Sequence, residues 1–206
     1  MVVVLTGFEP YGRESYNPSG VVAEKFNGLN IMGEEVVGRV LPVSYKRVPE
    51  ILENLISSFK PKVILSLGLA PRSPCIRVER VAINIMDSSP DNDGYSPVDE
   101  FIVKDGPAAY FSTIPIKAIV KRLLDSGIPA IISNSAGTYL CNYVMYLSLH
   151  YMFRFGVSGR AGFIHIPYTI GQVAEKLLGE RLEPPASMNF EDIFRAVKLA
   201  FEVSLS

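Results

Sequence analysis

Residues 130–155 read AIISNSAGTYLCNYVMYLSLHYMFRF. Ala130–Ser133 is a short β-branched run, residues 134–139 are small or polar, and Leu140–Phe155 is apolar on nearly every side. That order predicts a strand, a tight loop and a buried helix. A helix with so little polar surface has to be covered from several directions, so it belongs to a layer packed on a sheet.

Working outward, Lys62–Leu67 (KVILSL, before Gly68) and Ala161–Ile166 are further continuous apolar runs of strand length. Val2–Thr6, Val36–Val43 and Ile76–Ile85 read the same way. Helical segments fall between them: one capped by Ser19 and running to Phe26, then Pro49–Phe59, Ile116–Leu124 closed by Gly127, Val173–Leu178 and Phe190–Val203. Phe8–Pro18 and Ser88–Pro97 carry the Pro, Gly and Asn of loops. Strands apolar on both sides, alternating with helices, imply an α/β fold whose mainly parallel sheet is covered on each face. Residues 1–206 are expected to form one domain. In such folds sites lie beyond the carboxyl ends of the strands. The loops after Thr6, Leu67, Ser133 and Ile164 should therefore meet.

Lys and Arg total 20 against 21 acidic residues, and no basic run occurs, so no nucleic acid or membrane partner is expected. The start, MVVVLTGFEPYG, lacks the pattern of a signal peptide, and no charge-free stretch approaches the roughly 20 residues of a membrane span. A soluble cytoplasmic protein is expected, its two cysteines thiols rather than a disulfide. A single Gln and 15 prolines are compatible with a thermophilic source.

Cys141 falls at the start of the helix that follows Ser133. Free backbone N–H groups and the positive helix end favour negative charge there, and the same groups can hold an oxyanion. The competing reading is a small buried hydrophobe. A nucleophilic thiol needs a base, and the chain has two histidines. His150, nine residues along the same helix, lies roughly 13 Å away along the axis and on another side. His165, ending a strand before Pro167, can reach Cys141 from a neighbouring strand; the competing reading is a core histidine bonded to backbone. For the acid that orients the base, Glu79 stands out. Strand alternation puts Arg77, Glu79, Val81 and Ile83 on one face, leaving an acid among apolar neighbours. A buried pair of Glu79 with Arg77 or Arg80 is the alternative. Cys75, in a loop-to-strand joint, reads as structural. No CxxC or HExxH spacing suggests a metal.

Three segments together resemble the pyroglutamyl peptidase I family: T6-G-F-E-P-Y-G with N17-P-S; E79-R-V-A-I-N with P90-D-N-D-G; and S133-N-S-A-G-T-Y-L-C141-N with F163-I-H165-I-P. The resemblance is collinear over essentially the whole chain. It implies a three-layer α/β/α sandwich around a mainly parallel mixed sheet. It also implies a cysteine exopeptidase that removes N-terminal pyroglutamate from small peptides, without metal or cofactor, assembled as a homo-oligomer, commonly a tetramer. Carried over, Cys141 is the nucleophile, His165 the base and Glu79 the orienting acid. Phe8, Tyr11, Asn17, Tyr139 and Leu140 match pocket positions, with aromatic walls around a small flat lactam and the Asn17 amide on its polar edge. Leu69 stands where some members carry Gln. Other departures are Arg77 in place of Ser or Thr, a shortened D87-S-S-P-D-N, and P71-R-S-P. Rival readings are a silent ligand-binding homologue and a cysteine amidase for another small acyl group.

Overall fold

A computed structural model describes residues 2–12, 14–179 and 183–206. In chain order the elements are β1 (Val2–Phe8), α1 (Pro18–Phe26), β2 (Asn30–Ile31), β3 (Glu34–Leu41), α2 (Val48–Phe59) and β4 (Val63–Leu69). They continue with β5 (Ile76–Glu79), β6 (Val81–Ile83), β7 (Ala109–Phe111), α3 (Ile116–Asp125), β8 (Ala130–Ser133) and α4 (Leu140–Arg154). The chain closes with β9 (Arg160–Ile166), β10 (Tyr168–Thr169), α5 (Ile170–Gly179), β11 (Ser187–Met188) and α6 (Phe190–Leu205).

Seven strands form the main sheet in the order β2-β3-β1-β4-β9-β5-β8. Because side chains alternate across each strand, each buried strand feeds two cores. Val3, Leu5, Val63, Leu65, Leu67, Ile164 and Ile166 pack with apolar residues of α1, α3 and α6. Val4, Ile64, Ala161 and Phe163 pack on the other face with α2 and α4. The result is the expected three-layer α/β/α sandwich. Close packing fixes the layers: a Cβ on Gly7 would lie 2.0 Å from Ser19 O, so only glycine lets α1 sit on β1.

Three expectations need correction. The run Ile76–Ile85 is two strands, broken at Arg80: β5 joins the main sheet, while β6 pairs antiparallel with β7 in a separate two-stranded sheet. The common face expected for residues 77–83 therefore ends at Glu79. Second, β5 runs antiparallel to β9, and β8 runs with β5. The chain consequently leaves Ser133 in the direction opposite to that in which it leaves Leu67 and Ile164. Residues 134–139 bring the chain back across the sheet before α4 begins. The cap of α1 also moves. Asn17, not Ser19, is the N-cap, its side chain accepting from Ser19 N–H, with Pro18 as the first helical residue.

Candidate active site

Alternation on the main sheet places Gly68, Arg77, Glu79 and His165 on the face that α4 covers. The registers set Gly68 beside His165 on one side and Arg77 beside it on the other. Glu79, two residues beyond Arg77, reaches the imidazole diagonally, with Oε1 2.8 Å from His165 Nδ1. Glu79 is fully buried and His165 nearly so. With Nδ1 engaged, the remaining ring nitrogen, Nε2, is free for the thiol.

Cys141 is the second residue of α4, and the thiol is half-buried. A Cβ built on Gly68 would lie 2.7 Å from Cys141 Sγ and 2.8 Å from Phe163 Cζ. The sulfur thus fills the space above Gly68, next to His165 in register. Burial alone pulls the His165 pKa down, but interaction with Cys141 and the bond to Glu79 outweigh it and raise the value to about 9. The imidazolium form is the favoured one. Tyr139 precedes α4 in an extended conformation, and no side chain caps the helix. The first N–H groups of α4 therefore lack intrahelical acceptors and point into the space around the thiol.

A cavity of about 440 Å³ opens beside Cys141. All six pocket residues expected from the sequence line it: Phe8, Tyr11, Asn17, Leu69, Tyr139 and Leu140. Gly12, Glu14, Val43, Pro71 and Tyr168 complete the wall; none was named as a pocket residue, because these loops and strand ends lie far apart in the chain and meet only in the fold. The expected use of Asn17 is only partly available. Its Oδ1 accepts from Ser19 N–H and Ser19 Oγ–H, and its Nδ2 donates to Glu9 O. The amide oxygen is committed to the helix cap, leaving one N–H for a ligand.

The pocket wall is braced from the 87–95 loop. Tyr11 and Tyr139 hydroxyls both donate to Pro90 O, at 3.4 and 3.3 Å. Asn92 Nδ2 donates to Glu9 Oε1 and Pro10 O. Asp91 is buried, and its carboxylate accepts from the backbone N–H groups of Tyr45, Asp93 and Tyr95. The chain's other histidine and cysteine lie outside the site. His150 bonds the Tyr110 hydroxyl at 3.0 Å, and Cys75 is buried against Ser73. Arg80 donates to Asn134, so it is not the partner of Glu79; Arg77 Nε, by contrast, lies 3.8 Å from Glu79 Oε1. The proposed choice between histidine and arginine as partner of Glu79 is resolved by both being near it.

A sequence model of the family described as pyroglutamyl peptidase matches residues 1–206. The chain is 50% identical to the pyrrolidone-carboxylate peptidase of Thermococcus litoralis, covering 98% of this chain and 92% of that protein. It is 48% identical to that of Pyrococcus furiosus, covering 100% and 98%. A solved structure of a mutant Pyrococcus furiosus pyrrolidone carboxyl peptidase superimposes with a TM-score of 0.95, covering 100% of this chain and 98% of that one.

Proposed function

Because the chain belongs to the pyroglutamyl peptidase family, we propose that it removes N-terminal pyroglutamate with Cys141 as nucleophile, His165 as acid–base and Glu79 as the group that orients it. The activity itself is that of a pyrrolidone-carboxylate peptidase. The assignment of roles is carried by one observation: the His165 imidazole, which meets the buried Glu79 carboxylate, also stands in register beside the glycine under the Cys141 sulfur.

In the reaction the pyroglutamyl ring enters the aromatic cavity, and the carbonyl carbon of the scissile peptide bond, outside the ring, comes to Sγ. The proton of Cys141 passes to His165 Nε2, Sγ forms a bond to the carbonyl carbon, and the oxygen gains charge near the free N–H groups that open α4. When the intermediate collapses, the C–N bond breaks and His165 gives its proton to the departing amine. Water, deprotonated by His165, then hydrolyses the thioester and releases pyroglutamate. The neutral lactam needs no charged partner, in keeping with a mainly apolar pocket wall.

A single peptidase domain over residues 1–206, a cytoplasmic location and a homotetramer are parts of the same proposal. Two free thiols support a reducing compartment. Among the described residues no helix is long and apolar enough to cross a membrane. The exposed apolar face of β6 and β7 supports association between copies. Replacement of Cys141 by Ala is expected to lower kcat on a pyroglutamyl-anilide by several orders of magnitude, as for other nucleophile–base pairs. A C141A protein that turns over at the parent rate refutes the assignment.

A further inference from the structure

Arg77 is a charged group beside the relay that the mechanism above leaves idle. It is the register partner of His165 across β5 and β9. Its Nε lies 3.8 Å from Glu79 Oε1, the same oxygen that faces His165 Nδ1. Its Nη2 donates to Ser133 Oγ at 2.9 Å. Ser133 Oγ in turn donates to Ser135 O at 3.2 Å, inside the loop that leads to Cys141. Arg77 Nε and Glu79 Oε2 are both buried without a hydrogen-bond partner.

These facts fit together. A fully buried carboxylate with a single hydrogen bond is costly to keep charged. During turnover the imidazole is neutral for part of the cycle, and Glu79 then loses its cationic partner. The Arg77 guanidinium gives the carboxylate a cationic neighbour through that phase. The same cation, placed across from the ring, disfavours a second positive charge on His165.

We propose that Arg77 is a positioning residue: its guanidinium shares Glu79 with His165, holding the carboxylate aimed when the imidazole is neutral, and easing proton release from the imidazolium. The inference rests on the reading of Glu79, His165 and Cys141 as the acid–base relay. The charged or titratable groups facing His165 are Glu79 and Arg77 from β5 and Cys141 from α4. The neighbouring positions on β4 and β8, Gly68 and Ser133, carry no charge. Arg80 is turned away to Asn134.

The test is the pH profile of kcat/KM on a pyroglutamyl-anilide for the parent, R77S and R77K. Loss of the cation stabilises the imidazolium, so the alkaline limb of R77S should move up by about half a pH unit or more. The KM of R77S should stay within about twofold of the parent, since Arg77 does not line the pocket. R77K keeps the charge and should keep the limb near the parent position. An R77S limb that superimposes on the parent's overturns the inference, as does an equal shift in R77S and R77K. If R77S does not fold, R77Q takes its place in the same comparison. C141A separates the two layers of argument. An active C141A protein overturns the relay and this inference with it; an inactive one, beside an unshifted R77S limb, overturns the role of Arg77 alone.

Discussion

At the scale of single residues, the site depends as much on a missing side chain as on the reactive ones. Gly68 lies under the Cys141 sulfur, and an added Cβ would come within 2.7 Å of Sγ and 2.8 Å of Phe163 Cζ. Neither neighbour yields cheaply: the cysteine is held in the first turn of α4, and Phe163 is fully buried. Gly68→Ala is therefore expected to push the thiol out of line with His165. A displacement of this kind costs about 10²-fold in kcat, with overpacking of about 1–3 kcal/mol in stability. Steady-state kinetics and iodoacetamide labelling of Cys141, read beside the melting temperature, check this. Unchanged labelling and kcat in a folded G68A protein would show that the sulfur does not need that space. Cys141 and His165 were readable from the sequence because the chain has few alternatives: one cysteine at a helix start and one histidine able to reach it. Gly68 was not readable in this role. It looked like the end of a strand, and its importance comes from a helix more than 70 residues away in the chain.

At the scale of elements, the alternation of apolar runs and helices was sufficient to predict the sandwich and its central strands. Pairing direction was not. β8 is as apolar as the parallel strands, and nothing local in β5 or β8 records that they run the other way; a sheet partner is a non-local choice. The break at Arg80 was hidden for the same reason, since the residues on both sides of it favour strands. The 87–95 loop shows the converse case. SSPDNDGYSP was legible as a turn-rich loop, yet its work is done by buried hydrogen bonds. Asp91 gathers three backbone N–H groups, and Asn92 ties the loop to Glu9 and Pro10. With Asp91→Ala those donors lose their acceptor, and the support behind Tyr11 and Tyr139 loosens. The expected outcome is a KM raised about tenfold, roughly 1.4 kcal/mol of binding, with a smaller change in kcat. Equal KM values for parent and D91A would mean that the pocket wall stands without this brace.

At the scale of the whole molecule, the small β6–β7 sheet joins the site to the outer surface. Its inner face is fixed to α4: Asn142, the residue after Cys141, accepts from Ile83 N–H and donates to Ile83 O and Ile85 O, and Tyr110 packs edge-on against Tyr146. Its outer face is apolar. Val81 pairs in register with Phe111, and Ile83 with Ala109, while the Phe111 side chain is 70% exposed. Single exposed hydrophobes are ordinary, but aligned ones on neighbouring strands form a patch that favours a protein partner. A second copy of the chain is the occupant that the homo-oligomer reading requires. A charge at the centre of such a face would have to be buried unpaired on assembly, at a cost of several kcal/mol. Phe111→Asp should therefore sediment as a smaller species than the parent at equal concentration, with the fold intact because the side chain supports no core. A parent that sediments as a monomer, or an F111D protein with an unaltered assembly, would remove this face from the interface. Because Asn142 ties the back of the same sheet to the turn bearing Cys141, assembly through this face would rest directly on the element that carries Cys141.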